Sequence, residues 1–230
     1  MMARWLPRCA GGGRPDPPPA CDVVKHRNQV TAAMPYAVTL RLDSTAAAAV
    51  EHLWHVLADQ AGADLALQLG YQPHITLAVL PDSVLAPAIE SVVGWLAAAW
   101  RALPLTLAGL AVFPGEAPVL WAAPVPSERL LQWHRQLHAA IAGYPVHPHY
   151  HPDKWVPHLT LAKEARVPAE RLLAVALSAW DGPIHGTLDR LDLVRFRPVS
   201  VLRSDPLALP AESEEPRDDA LKKQIGPGNT

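Results

Sequence analysis

Apolar and polar positions along the chain spell one string of elements twice. Alternating apolar residues carry a strand from Tyr36 to Leu42. Asp43-Ser44 then supplies an N-cap, and helical spacing runs from Thr45 to about Ala61, closed by Gly62. The second string opens with a strand over Val119 to Val125. Ser127 caps a helix from Glu128 to about Ala142, closed by Gly143. Each string then reaches a hexapeptide, Pro73-His74-Ile75-Thr76-Leu77-Ala78 and Pro157-His158-Leu159-Thr160-Leu161-Ala162. An apolar-periodic helix follows each, roughly Ser83 to Arg101 and Pro168 to Trp180, with Pro168 placed in the first turn. Closing strands begin at Thr106–Leu110 and Thr187–Leu191 and end at Phe113-Pro114 and Phe196-Arg197-Pro198. A further β segment comes after each, Val119 to Ala122 and Val199 to Leu202.

A duplicated strand–helix–strand–helix–strand order predicts an α+β protein. The expected form is a bilobal duplicated fold: two antiparallel sheets around a pseudo-twofold central cleft, with helices outside. The two ends lack the pattern. Residues 1–33 hold Gly11-Gly12-Gly13 and Pro15-Asp16-Pro17-Pro18-Pro19, and they read as a disordered N-terminal extension. Met34 fits a translation start followed directly by the first strand, with a real flexible tail as the alternative. Residues 206–230, with Glu212, Glu214, Glu215, Asp218 and Asp219, read as a disordered C-terminal tail. The domain is therefore expected over residues 34–205.

Composition narrows the classes. The 230 residues are 50% apolar and 18% charged, which supports a sizeable core. The formal charge is -2, and residues 35–205 carry 12 basic against 15 acidic groups, so a histone-like or polybasic binder is not expected, while a local basic pocket is allowed. Both cysteines, Cys9 and Cys21, sit in the N-terminal extension without CxxC or finger spacing. A cysteine-free domain suits a reducing cytoplasm. The apolar run around Val92–Trp100 is too short to span a bilayer, and Arg4, Arg8 and the glycines interrupt any signal-peptide core.

The hexapeptides carry the candidate chemistry. In a strand, His74, Thr76 and Ala78 share one face, while Ile75, Leu77 and Val79 take the other. His158, Thr160 and Ala162 share a face in the same way, against Leu159 and Leu161. The aliphatics suit a core beneath helices. The His and Thr faces suit a groove, opened by the small alanines. A neutral imidazole takes a proton and an imidazolium gives one, and a reference pKa near 6.5 lets both forms exist at neutral pH. Threonine hydroxyls can donate to non-bridging phosphate oxygens. A single histidine on a strand is commonly structural; two in matching places of a repeat, five of six positions being identical, point to shared chemistry.

At these residues the chain resembles the two-histidine phosphoesterase superfamily, specifically its bacterial 2′-5′ RNA ligase / RNA 2′,3′-cyclic phosphodiesterase group. The carrying motifs are His74-Ile75-Thr76-Leu77 and His158-Leu159-Thr160-Leu161. The first strand, the Phe113-Pro114 turn and a basic residue after the second motif, Lys163, match as well. The resemblance implies metal-independent opening of 2′,3′-cyclic phosphates to 2′-phosphates, or 2′-5′ joining of RNA ends, with His74 and His158 as the acid/base pair. It implies RNA ends or small cyclic nucleotides as substrates, and no cofactor. Several family members carry arginine where this chain has Lys163, a point charge that cannot make a bidentate phosphate contact. By alternation Lys163 falls on the Leu159/Leu161 side.

Other features are weighed beside this pair. Tyr144–Trp155 alternates histidines with prolines. His147, His149 and His151 suit a loop at the cleft rim better than a metal site. Tyr150 and Trp155 are candidates for stacking on a nucleobase, with core packing the alternative for Trp155. His134 and His138 are four apart on a helix and read as a solvated face, as do His52 and His55. Trp54, Trp95, Trp100, Trp133 and Trp180 read as core. Arg41, Arg195 and Arg197 read as surface charge. No metal, membrane or protein partner is expected. The competing classes are a binding module that holds RNA ends or a nucleotide without turnover, and a metal hydrolase built on His147, His149 and His151.

Overall fold

The computed structural model describes residues 36–210 except Arg166 and Arg197. The N-terminal extension with its cysteines, the Met34 start, Arg197 and residues 211–230 lie outside them.

Strand β1 (Tyr36–Leu42) leads into helix α1 (Ser44–Ala61). Asp43 caps α1, one carboxylate oxygen accepting from Thr45 N at 2.9 Å and Ala46 N at 3.0 Å. Gly62 ends it at φ 61°, the left-handed region a glycine enters without strain. A short helix not expected from the sequence, α2 (Leu65–Leu69), precedes β2 (His74–Leu80). There follow α3 (Ala86–Ala99), β3 (Leu103–Phe113), β4 (Val119–Pro124) and α4 (Glu128–Ala140). A single 3-10 turn at Pro148–Tyr150 comes next, then β5 (Leu159–Ala162), α5 (Ala169–Ser178), β6 (Ile184–Arg195) and β7 (Ser200–Pro206). Helix α3 starts later than its apolar period suggests, because Val84 N donates to Pro81 O at 3.2 Å and closes a turn there. Pro168 is the N-cap of α5, at ψ 155°, and not part of its first turn.

All ladders are antiparallel. The strand order is β1-β2-β5-β4-β3-β6-β7, and β1 also pairs with β6, so six strands close into a ring with β7 added at β6. Where two sheets were expected, hydrogen bonds connect one. The motif strands β2 and β5 join at Ile75↔Leu159. At twelve residues, β6 is long enough to pair with β3 over Ile184–Leu188 and with β1 over Leu188–Arg195. Exchanging β1, β2 and β3 for β4, β5 and β6 maps the ring's pairings onto themselves, so the repeat in element order extends to the ladders. The ordered chain also runs past the expected boundary at 206. Leu207 is buried, its N–H donates to Asp189 O at 2.7 Å, and Ala102 N donates to Ala208 O at 2.7 Å.

The helices bury aliphatic stripes against one face of these strands. Val50, Leu53 and Leu57 of α1, Ile89, Val93 and Leu96 of α3, and Leu130 and Leu137 of α4 join Leu172 and Val175 of α5. They meet Leu40, Ile75, Leu77, Leu120, Leu159, Leu161 and Leu191 from the sheet. Burying one such side chain contributes about 1.5–3 kcal/mol. Trp100 and Trp133 stack at 4.6 Å between α3 and α4. Trp95, expected in the core, is 65% exposed, since the buried stripe of α3 runs through Ile89, Val93 and Leu96 instead. Helix α1 approaches β6 so closely that a Cβ on Gly186 would overlap Ala46.

Two matching β-bulges decide what faces the cleft. Along β1–β2 the register passes from Val38↔Ala78 to Thr39↔Thr76, leaving Leu77 as the extra residue. Along β4–β5 it passes from Leu120↔Ala162 to Trp121↔Thr160, leaving Leu161 as the extra residue. A bulge lets consecutive side chains share one side. Leu77 and Ala78 are therefore both buried, as are Leu161 and Ala162. Strict alternation had placed the two alanines with the histidines and Lys163 with the core. The bulges reverse both assignments, and Val79 and Lys163, each half-buried, return to the His/Thr face.

Candidate active site

Pro73 and Pro157 precede the two histidines and hold Gln72 and Val156 in extended geometry. That geometry turns each of these carbonyls toward the ring two residues on. His74 Nδ1 lies 2.7 Å from Gln72 O, and His158 Nδ1 lies 2.7 Å from Val156 O. A carbonyl only accepts, so both rings carry their neutral-form proton on Nδ1. Both Nε2 atoms are left as acceptors. Continuing the antiparallel register from Ile75↔Leu159 sets His74 opposite Thr160 and Thr76 opposite His158. The histidines are then diagonal neighbours on one face, a spacing of about 7–8 Å between backbones that long side chains bridge.

The motif backbones are gripped from behind. Trp155 Nε1 donates to Thr76 O at 3.0 Å, and Trp54 Nε1 donates to Thr160 O at 3.2 Å. Trp155 is therefore buried structure, 8% exposed and stacked flat on His134 at 3.9 Å; it is not a nucleobase platform. His134 is itself 2% exposed, and His138 Nε2 donates to Leu77 O at 3.2 Å. The pair expected on a solvated face thus points inward, because α4 packs that face on β2. Tyr150 is half-buried and its ring packs against the core, which raises its hydroxyl pKa by burial, with Thr76 acting in the lowering direction.

Each histidine has its own surroundings. Burial, reinforced by the charge of His158, lowers the His74 pKa to about 4, with the Gln72 carbonyl offsetting part of the shift. Lys163 acts in the same lowering direction and Asp192 in the opposite one. Burial also lowers the His158 pKa. The Tyr71 ring lies 4.8 Å from His74. His158 is met edge-on by Phe113 at 5.1 Å and by Trp121 at 5.9 Å, and these two rings stack on each other at 4.8 Å. Across β1 from the His74 strand lies fully buried Asp192. Tyr71 OH donates to its Oδ2 at 2.8 Å, Ser204 Oγ to its Oδ1 at 2.6 Å, and Arg41 Nη1 lies 3.4 Å from Oδ2. Arg41 is thus a half-buried ion-pair partner, not surface charge.

The histidine-rich loop binds mostly to itself and to the strands. His147 N donates to Val79 O, His149 N to His147 Nδ1, and His151 Nε2 to Val146 O. Among the described residues no group of three or more His, Cys, Asp or Glu is placed to hold a metal ion. A cavity of about 530 Å³ lies between α4 and this loop, lined by Arg135, His138 and His151, away from the two motif histidines. Tyr71, Phe113, Trp121 and Asp192 were not singled out from the sequence as site residues. Only the alternation Leu191-Asp192-Leu193 hints at a polar position inside an apolar strand.

A family model for the 2′-5′ RNA ligase superfamily matches residues 42–198, spanning both motifs. The chain belongs to this superfamily of two-histidine phosphoesterases. Three solved structures share the fold. TT0787 of Thermus thermophilus superposes with a TM-score of 0.55 at 18% identity, covering 77% of this chain and 100% of that one. E. coli LigT complexed with 3′-AMP gives 0.52 at 19%, covering 76% and 98%. LigT complexed with NADP+ gives 0.51 at 18%, with the same coverage. None of the curated proteins matches by sequence. Membership supports a phosphodiesterase or RNA-ligase-like activity. Among the described residues no helix is long and apolar enough to cross a membrane.

Proposed function

We propose that the protein opens 2′,3′-cyclic phosphates of RNA ends or nucleotides to 2′-phosphates, using His74 and His158 as the acid/base pair and no metal. The observation that carries this reading is the pair of Nδ1-anchored imidazoles on adjoining strands, each with Nε2 free. One Nε2 takes a proton from water as its oxygen attacks phosphorus. The bond from phosphorus to the ribose 3′ oxygen breaks, and the other Nε2, protonated, gives that oxygen its proton. The products are a 2′-phosphate and a free 3′-hydroxyl. With a 5′-hydroxyl in place of water, the same opening leaves a 2′-5′ linkage.

Thr76 and Thr160 lie on the same face and serve as donors to the non-bridging oxygens, where charge grows in the transition state. Lys163, turned to this face by the Leu161 bulge, supplies a compact positive charge. Tyr150 acts by its hydroxyl, beside Thr76. The substrate is held without a protein or membrane partner. The cysteine-free domain suits a cytoplasmic location.

The test is hydrolysis of a nucleoside 2′,3′-cyclic phosphate in excess EDTA, with the product isomer assigned by phosphorus NMR. The expected result is a 2′-phosphate formed at the same rate with and without the chelator. Activity lost to EDTA ends the metal-free reading. Tight binding without any product replaces the enzyme by an RNA-end binding module.

A further inference from the structure

The two histidines are anchored alike by their own backbones but held differently from the side. On the second strand, the rings that meet His158 are the aromatic Phe113 and Trp121. On the first, a polar chain rooted at buried Asp192 leads to His74 along two routes, one through half-buried Tyr71 and the other through exposed Gln72. In one, Asp192 accepts the Tyr71 hydroxyl at 2.8 Å, and the Tyr71 ring packs on the imidazole at 4.8 Å. The tyrosine's single proton is spent on Asp192, so the Thr39 hydroxyl donates to the tyrosine oxygen at 2.7 Å. Burial, and then the Asp192 charge, raise the Tyr71 pKa far above its ordinary value, so this hydroxyl stays a donor. In the other route, Asp192 pairs with Arg41, whose second terminal nitrogen donates to the Gln72 side chain. Gln72 is the residue whose backbone carbonyl fixes His74 Nδ1.

Register makes the arrangement inevitable once β1 is central. Thr39 pairs with Thr76 on one side and with Asp192 on the other, and Arg41 pairs directly with His74. Asp192 in turn pairs with Ser204 of β7, which donates to its second oxygen at 2.6 Å. Removing partners from a buried carboxylate is strongly destabilising. Here three side chains satisfy it, and two of the three reach the His74 segment.

We infer that Asp192 is a positioning residue for His74: through Tyr71 and the Arg41–Gln72 contact it holds the ring and the Gln72 segment in place, and so secures the Nδ1–H tautomer that the Gln72 carbonyl sets, while His158 is independent of it. This rests on the acid/base reading of the two histidines but is tested apart from it. The groups facing His74 are Tyr71, Gln72 and Lys163, with Arg41 from β1, Asp192 from β6 and His158 from the second motif. Of these, Asp192 is the acidic one.

The experiment follows the side-chain nitrogen NMR signals of both motif histidines in the full chain, for wild type, Asp192→Asn and Tyr71→Phe. In wild type both rings are expected in the Nδ1–H form. In Asp192→Asn the His74 signals move toward mixed tautomers while those of His158 stay within error. Tyr71→Phe keeps the ring and deletes the hydroxyl, and it gives a smaller change of the same kind. Where cyclic-phosphate turnover is present, Asp192→Asn lowers kcat at least tenfold with KM changed less than twofold. A folded Asp192→Asn with unchanged His74 signals overturns the inference, as does an equal change at both histidines. If Asp192→Asn does not fold, unchanged His74 signals in Tyr71→Phe overturn it alone. Absence of turnover in wild type refutes the proposed reaction and leaves the tautomer result to stand or fall separately.

Discussion

Replacing His134 by phenylalanine should remove a defined share of the protein's acid sensitivity. His134 is 2% exposed, stacks on Trp155 with 1° between planes, and lies 4.3 Å from His138. Its Nε2 is buried without a hydrogen-bond partner. Burial first, and the neighbouring His138 second, lower its pKa from 6.5 to about 4, with backbone carbonyls offsetting part of the shift. In the unfolded chain the imidazole binds a proton near its ordinary value, whereas in the fold it stays neutral until about 4. Between those limits the unfolded state holds the extra proton, so stability falls as pH falls. One proton is worth about 1.4 kcal/mol per pH unit. The loss is therefore about 2 kcal/mol between pH 6.5 and 5 and about 3 kcal/mol by pH 4. Outside that window this ring adds no slope.

Phenylalanine keeps a ring of similar size on Trp155 and removes the unpartnered nitrogen, so the variant leaves no large cavity. The pKa values of His74, His138 and His158 are also lowered, so wild type loses more than one ring's share in acid. The comparison of variant with wild type isolates His134. Urea unfolding followed by far-UV circular dichroism at pH 7.5, 6.5, 5.5 and 5.0 reads it directly. His134→Phe is expected to gain about 2 kcal/mol relative to wild type on going from pH 7.5 to 5.0, whatever its stability at neutral pH. Parallel curves across that range would refute the reasoning.

Other outcomes follow from the same geometry. His74→Ala and His158→Ala should each lower kcat/KM for a cyclic phosphate by about 10²–10⁴-fold, and the double variant by far less than the product, because the two act as a unit. A stepwise multiplication of the losses in steady-state assays contradicts the paired mechanism. The reaction needs one protonated and one neutral ring, and burial lowers both pKa values, so kcat/KM should rise as pH falls from 8 toward 6. A rate maximum above pH 7 in the initial-rate profile contradicts this. Trp155→Phe leaves the Thr76 carbonyl without its buried donor and should cost about 1–3 kcal/mol in urea unfolding. A change below the error of the measurement would show that the indole N–H is dispensable.

What the sequence made legible is local. Asp43 and Gly62 mark the ends of α1 by their own chemistry, and Ser127 accepts from Leu130 N at the start of α4 as its position predicts. Alternation placed His74, Thr76, His158 and Thr160 opposite the aliphatics, and the half-buried polar and fully buried apolar positions follow it as far as each threonine. Past the threonines the reading fails. A bulge is a property of two strands in register, and nothing in Leu77-Ala78 or Leu161-Ala162 announces that β1 and β4 are one residue short opposite them. The assignment of Lys163 to the core side fell with it. The choice for Trp155 between nucleobase stacking and core packing is open in the sequence for a related reason, since the demand of the Thr76 carbonyl for a donor is visible only when the loop before β5 folds behind β2.

The same distinction explains how two matching hexapeptides carry two unlike histidines. The repeat supplies what a short peptide can encode: a proline, a histidine turned to a carbonyl two residues back, and a threonine. These recur in both halves with the same 2.7 Å contact. What differs comes from beyond the motifs. Strand β1 is flanked by β2 and β6 and brings Thr39 and Arg41 against Asp192, whereas at the corresponding place in the other half β4 brings Trp121 against Phe113. A polar support reaching one ring across β1 and an aromatic one beside the other give two groups of identical chemistry different environments. In the proposed acid/base pair, unlike surroundings bias which ring holds the proton and which lacks it.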